Sequence, residues 1–493
     1  MDWFFFDYIF DTYILSIITT VIIILNILLA ISLVFLERRN AQSLWAWLLI
    51  LFFLPIIGFI LYMLFGRTIY RKSIFAIPED KKLGMSHLVE NQLESLEDGS
   101  FKFPNETTKK YHQMIHMLLY NDQSFLTTNN SIQTFTNGRD KFDSLLEDIR
   151  NATDHIHFQY YILKLDGIGQ TLYDALLEKQ KEGVTVKILY DDMGSRGLNL
   201  KSFGTLKKEG GDAKSFFSSI FPLINPRVNN RNHRKIVVID GKIGYVGGFN
   251  VGDEYLGRDK KFGFWRDTHL KLQGNAVRSL QLRFLLDWNS QPGGDRIDNE
   301  DRYFPEIPSH GEKPIQIVTS GPDEEWEQIK YGYMQMIHSA KDSIYIQTPY
   351  FIPDQAFFEA LKIAILSGVK VHLMIPSFPD HPFVYWATYS NAGTLVKMGA
   401  TVHTYEKGFN HQKVVMVDDE VLSIGTTNVD VRSFSLNFEV NAFIYDKEQA
   451  KHYREIYEAD IQDATLLTEE KYKARSNWIK VKEGFAQLVS PIL

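Results

Sequence analysis

The chain has 493 residues, room for two ordinary domains, and at 45% hydrophobic and 14% aromatic it is not a disordered polypeptide. A net charge of −7 supplies no global basic field, so bulk electrostatics do not favour a nucleic-acid substrate. The absence of cysteine excludes disulfides, thiol catalysis and cysteine-ligated zinc, and leaves the compartment open.

In chain order, the first element is an uncharged run over residues 13–36, long enough to cross a bilayer as a helix and closed by Glu37-Arg38-Arg39. It is too long for a signal peptide and lacks both a basic head and a small-residue cleavage site. A second uncharged run covers residues 44–65, with Pro55 and Gly58 midway, residues that membrane helices tolerate. Together they predict a two-helix transmembrane hairpin over residues 1–66. Arg38 and Arg39 lie between the spans, whereas Arg67, Arg71, Lys72, Lys81 and Lys82 follow the second, which favours a cytoplasmic catalytic domain in a cell-membrane protein. Residues 67–110 read as a juxtamembrane linker, with one helix near Ser86–Leu96.

Beyond the linker, a helix over Arg139–Arg150 precedes a strand at 156–162, a helix at 169–182 and a strand at 184–190, a β-α-β unit that implies parallel strands covered by helices. The aromatic insert Phe216–Ile224, followed by Arg227 and Arg231, reads either as an interfacial segment or as a buried helix. Proline and glycine between Gln291 and Pro314 mark a boundary, giving lobes at 111–305 and 306–493. The second lobe repeats the first, with a strand at 344–347, a helix at 355–367 and a strand at 368–375, as internal duplication would give. Phe383-Val384-Tyr385-Trp386 is either a mouth for acyl chains or simple packing.

Two stretches are nearly identical. His233, Lys235, Asp240, Gly247 and Asn250 recur at the same spacing as His411, Lys413, Asp418, Gly425 and Asn428. In each, the His and Lys lie two apart at the head of a β-branched run, so on a strand both leave one face. Asp240-Gly241 and Asp418-Asp419 interrupt two apolar runs, a hairpin signature, so these aspartates are turn-formers before they are chemical groups. Single His-x-Lys pairs are common on surface strands. Two copies in register are not. Two imidazoles, two ammonium groups and two amides suit a phosphodiester, whose oxygens need fixed donors and whose displacement needs an attacking group and an acid.

These paired motifs resemble the phospholipase D superfamily, named for its His-Lys-Asp pattern. The resemblance implies two pseudo-symmetric α/β lobes with mixed sheets flanked by helices, and a catalytic set of His233, Lys235, Asp240, His411, Lys413 and Asp418. It further implies Lys235, Asn250, Lys413 and Asn428 as phosphate ligands, with one His attacking phosphorus and the other protonating the departing alcohol. Asp267 and Glu439, each following the Asn of its own half, are the candidates for orienting the imidazoles. No metal and no cofactor are implied. From Trp45 to Leu493, features such as Trp265-Arg266-Asp267-Thr268-His269 and the Ser490-Pro491-Ile492-Leu493 ending are similar to bacterial cardiolipin synthases. That similarity implies transfer of a phosphatidyl group between two phosphatidylglycerol molecules at the bilayer, with no nucleic-acid partner. It leaves a homo-oligomer open. Gly247-Gly248 departs from the Gly-Ser common in the superfamily. Other acceptors would make a membrane-bound phospholipase D or a tethered nuclease, and a non-catalytic scaffold would not need two complete motifs.

Overall fold

Short β-branched runs build two mixed sheets. The first contains β1 (Asn130–Phe135), β2 (His155–Tyr160), β3 (Thr185–Asp191), β4 (Asp212–Phe216), β5 (Ile236–Ile239), β6 (Ile243–Gly247) and β7 (His269–Gly274), in the order β1-β7-β6-β5-β2-β3-β4. The second contains β8 (Ile315–Ser320), β9 (Ser343–Gln347), β10 (Lys370–Pro376), β11 (Thr401–Tyr405), β12 (Val414–Val417), β13 (Val421–Gly425), β14 (Glu439–Ile444) and β15 (Ala464–Leu466), in the order β8-β14-β13-β12-β9-β10-β11-β15. Apart from the added edge strand β15, the two orders are the same order. In both, three strands run parallel (β2, β3, β4; β9, β10, β11) and β5 or β12 joins them antiparallel. This is a computed structural model, describing residues 2–35, 41–62, 86–218, 230–293, 295–298, 300–308 and 310–489.

Alternation along β5 and β12 decides how the lobes meet. Ile236 and Val238 share one core with Val414 and Met416 of the other lobe, together with residues of the helices Ala276–Asn289 and Lys447–Gln462. Val237 and Ile239 face the helices Gly138–Arg150 and Gly167–Lys181, while Val415 and Val417 face Gln328–Ser339 and Gln355–Leu366. Strands buried on both faces read as unbroken apolar runs, as these do. The helix His112–Asp122 lies inside the range given to the first lobe, yet Met114, Ile115 and Leu118 pack in the second lobe's core. Its amphipathic pattern shows that it needs a core and not which one.

Residues 86–489 that are described fall in one compact unit, and the N-terminal helices form another. In the latter, the helix Asp2–Phe35 contains Tyr13–Phe35, 23 residues apolar enough to cross a membrane. The second run is not the single span expected over 44–65. It divides into Ala41–Phe53 and Pro55–Leu61, with Leu54 between them at φ −128° and ψ 64°. Pro55 lacks an N–H and pushes its predecessor out of the helical region, which breaks the element there. Asn26 donates to the Pro55 carbonyl beside the break at 2.7 Å. Among the described residues, therefore, one helix meets the length for a span. The basic residues used to orient the chain, most of the insert at 216–224 and the Ser490–Leu493 ending lie outside the described residues.

Candidate active site

Each His-x-Lys segment lies just ahead of its strand, where the two lobes exchange backbone bonds. The His233 N–H donates to the Phe438 carbonyl at 2.9 Å, and the His411 N–H donates to the Arg266 carbonyl at 2.8 Å. The residues that follow those acceptors are Glu439 and Asp267. His233 Nδ1 consequently meets both Glu439 oxygens, at 3.0 and 2.9 Å, and His411 Nδ1 meets Asp267 Oδ2 at 2.7 Å. Sequence order lists each acid with the imidazole of its own half. The structure pairs each with the opposite half.

A carboxylate on Nδ1 holds the proton there and leaves Nε2 with its lone pair. Lys413 Nζ also lies 2.9 Å from His411 Nδ1, but that nitrogen cannot both donate to Asp267 and accept from a lysine. The shorter carboxylate contact takes the proton, and Lys413 donates to the His411 carbonyl. Lys235 does the same in its half, donating to the His233 carbonyl at 2.7 Å. Tyr161 edges His233 at 5.0 Å between ring centres, and Trp265 flanks His411 at 5.1 Å.

Burial governs the charges. Both histidines are only 8% exposed. Desolvation pushes each imidazole down to about 4, against the pull of its carboxylate. It likewise brings Lys235 to about 7 and Lys413 to about 8. Burial works to raise Asp267, yet Lys413 and His411 outweigh it and hold the carboxyl below its usual range. At neutral pH the site thus presents neutral imidazoles beside an ionised Asp267 and two lysines near their titration points.

The halves differ in how the acid is seated. A Cβ on Gly248 would sit 1.9 Å from Asp267 Oδ1, so this position must be glycine for the carboxylate to enter. At the matching position, Thr426 donates its hydroxyl to Glu439. The departure at Gly247-Gly248 therefore makes room for an acid instead of supplying a hydroxyl to it.

Asp240 and Asp418 are not brought to the imidazoles. Asp240, at φ 53°, accepts from the N–H groups of Thr153, Asp154 and His155 at 2.8, 2.8 and 3.0 Å. Asp418, at φ 55°, accepts from those of Lys341, Asp342 and Ser343 at 3.0, 2.8 and 3.1 Å. Each ties its hairpin turn to the head of β2 or β9. A four-residue strand separates each from its lysine, roughly 13 Å of chain. This geometry supports the turn-forming reading of both aspartates over a place in the catalytic set. Asn250 is held in place, its Oδ1 accepting from the Ile162 N–H at 3.1 Å and its Nδ2 donating to Tyr255 Oη at 3.1 Å. Asn428 is buried, with no partner on Oδ1 among the described residues.

Two buried ion pairs support the site and were not singled out from sequence. Arg234 donates to Asp287 at 2.7 Å, to the Glu439 carbonyl at 3.0 Å and to the Ser320 carbonyl at 3.0 Å. Arg266 forks onto Asp460 at 2.7 and 2.8 Å. One arginine directly follows a site histidine and the other directly precedes a site acid. The legible signal was a charged residue inside a segment that must be buried.

Comparison with known proteins fits this duplicated geometry. The family described as "Cardiolipin synthase, PLD-like domain" matches residues 145–265 and 333–461, one match in each lobe. A cardiolipin synthase of Staphylococcus aureus strain Mu50 is 58% identical over 470 residues, 95% of this chain and 95% of that one. The chain belongs to the cardiolipin synthase family. Another member, the major cardiolipin synthase of Bacillus subtilis strain 168, is 54% identical over 478 residues, covering 97% of this chain and 99% of that one. Residues 24–67 match the family described as "Phospholipase_D-nuclease N-terminal". Among solved structures, a phosphatidylserine synthase from Haemophilus influenzae Rd KW20 superposes with a TM-score of 0.60 at 15% identity, covering 79% of this chain and all of that one. That likeness is one of fold. The cardiolipin synthase family thus has here the α/β lobes with mixed sheets that the paired motifs implied, behind one clear apolar N-terminal helix.

Proposed function

We propose that the chain transfers a phosphatidyl group from one phosphatidylglycerol to a second, releasing glycerol and forming cardiolipin. The observation that carries this reading is the crossed pair of imidazole–carboxylate couples, each with a lysine folded beside it. In this reading Nε2 of His233 attacks phosphorus, a P–N bond forms, and the P–O bond to glycerol breaks. Lys235, Lys413, Asn250 and Asn428 hold the phosphoryl oxygens; the second amide proton of Asn250 is the one available for this. The incoming phosphodiester, being anionic, raises the His411 pKa, so that this imidazole carries the proton given to the leaving glycerol oxygen. His411 then removes the proton from the glycerol hydroxyl of the second lipid, whose oxygen displaces His233 from phosphorus. Asp267 and Glu439 keep each ring oriented throughout. Asp240 and Asp418 act only on the fold.

Membrane placement supports transfer over hydrolysis, because excluding water and holding the acceptor close favour the alcohol. The helices Ala41–Phe53 and Pro55–Leu61 complete a broken second span against Tyr13–Phe35, a reading supported by the Asn26 bond to Pro55. The excess of basic residues beyond that span supports a cytoplasmic position for the lobes.

The test is exchange. Purified chain with phosphatidylglycerol and labelled free glycerol should incorporate label into phosphatidylglycerol while making cardiolipin, since the phosphohistidine accepts any small alcohol that reaches it. Phosphatidic acid as the main product at membrane-like lipid density would make the chain a hydrolase. Lipids left untouched alongside cleaved nucleic acid would make it a nuclease.

A further inference from the structure

The second lobe carries an exposed apolar face that the proposed chemistry does not use. The helix Asn477–Val489 fixes one side to the lobe: Ala486 packs with Ile352 and Ala387, Glu483 pairs with Arg475 at 2.7 Å, and Gln487 donates to Ser390 at 2.8 Å. The other side is apolar. Trp478, Val481 and Phe485 are 66%, 58% and 54% exposed, spaced three and four residues apart so that they form one stripe. Phe383, 53% exposed, extends it from the start of the helix Pro382–Lys397, its ring centre 6.1 Å from that of Phe485. Isolated exposed apolar residues are ordinary on a protein surface, but a contiguous group of this size marks a contact.

The charges around the face say what the contact is. Lys482 holds its ammonium over the rings of Trp386 and Trp478, at 5.0 and 5.7 Å, and Lys480 is exposed on the same helix. The helix's one acid, Glu483, is buried and paired with Arg475. Lysines beside exposed indole and phenyl rings are the composition of a helix lying in a membrane interface. The core of a protein–protein contact is instead depleted of lysine. The face also adjoins the site. The loop before Pro382 places Phe378 5.7 Å from Phe409, two residues ahead of His411, and Asp380 of that loop bonds the Tyr350 hydroxyl.

We infer that Phe383, Trp478, Val481 and Phe485, with Lys480 and Lys482, form a seat for a bilayer surface rich in anionic phospholipid, a second membrane contact in addition to the N-terminal helix. This goes beyond the transfer reaction and requires only that the chain works at a membrane. The absence of cysteine makes single labelling sites clean. Val481→Cys, and Glu178→Cys as an exposed control on the first lobe, carry an environment-sensitive fluorophore in the full chain, reconstituted in phosphatidylglycerol–phosphatidylcholine vesicles. The label at 481 should shift to the blue and be quenched about twofold or more by brominated acyl chains, while the control is not. A label at 481 that behaves like the control overturns the inference. A blue shift without quenching also overturns it, since protein and not lipid would then cover the face. Lys480→Glu with Lys482→Glu should raise the apparent KM on such vesicles about tenfold and leave turnover of detergent-dispersed lipid unchanged; no change on vesicles removes the anionic component. Quenching is read without turnover, so a chain that inserts but makes no cardiolipin separates this inference from the proposed reaction.

Discussion

An imidazole held by a carboxylate and stripped of water is neutral where a free one is part-charged, and His233 and His411 are both brought to about 4 in this way. Replacing either by alanine should remove roughly 10⁴-fold or more of kcat, and the double variant should be little worse, because in the proposed mechanism nucleophile and proton shuttle act as a unit. Normal membrane insertion with most activity retained by either single variant would contradict the assignment. Glu439→Gln and Asp267→Asn keep shape but lose the charge that fixes the ring, and should each lower kcat by roughly 10²–10⁴-fold. The sign with pH follows from the same burial. Below about 4 the imidazole proposed to attack gains a proton, and above about 7 to 8 Lys235 and Lys413 lose theirs, so kcat/KM should fall on both sides of that range. Bound phosphate holds the lysines charged, so the alkaline limb of kcat should lie higher than that of kcat/KM. A single acid limb near 6.5 with no alkaline fall would show imidazoles and lysines left in water. The residues themselves were readable from their repeated spacing, which is local. Which acid serves which imidazole was not, because Phe438 and Arg266 make that choice by bonding across some 200 and 145 residues of chain, a matter of topology.

Elements carry two kinds of information, and sequence exposes one of them better. The hairpin turns at Asp240 and Asp418 were legible, because aspartate tolerates the left-handed conformation and interrupts two apolar runs. Their carboxylates each serve three backbone N–H groups at the entry to another strand, so Asp240→Ala should destabilise the chain by roughly 2–4 kcal/mol. Thermal unfolding should register that loss, while turnover per folded molecule stays near that of the parent. A large fall in kcat at unchanged stability would instead return Asp240 to the chemistry. Gly248→Ala should do the reverse of a turn variant, expelling Asp267 from beside His411 and abolishing turnover with a smaller change in melting. The break at Leu54 was not foreseen, although its cause, Pro55, was in view: membrane helices tolerate proline, and tolerance does not say where the axis stops. The helix His112–Asp122 was not singled out from sequence, and it packs in the second lobe although it lies in the range given to the first, since an apolar face seeks any core.

For the whole molecule, duplication was readable because both copies keep the same motif spacing and the same β-α-β succession, and the number of membrane crossings was not, because it depends on one kink. Removing residues 1–65 should leave both lobes folded and active on detergent-dispersed lipid while activity on vesicles falls. Equal activity of the truncated and full chains on vesicles would show that the N-terminal helices do not deliver substrate. Expressed apart, neither lobe should turn over phosphatidylglycerol. The crossed carboxylates carry this over to biosynthesis. A chain still on the ribosome that has completed only its first lobe holds His233 but not yet Glu439, so on the proposed mechanism it has no oriented nucleophile while its apolar N-terminal helix is already made. The arrangement is an interlock: lipid-cleaving power arrives only with the last hundred residues, and chains stalled at residue 308 in vesicles should leave phosphatidylglycerol intact where stalled chains reaching residue 489 do not.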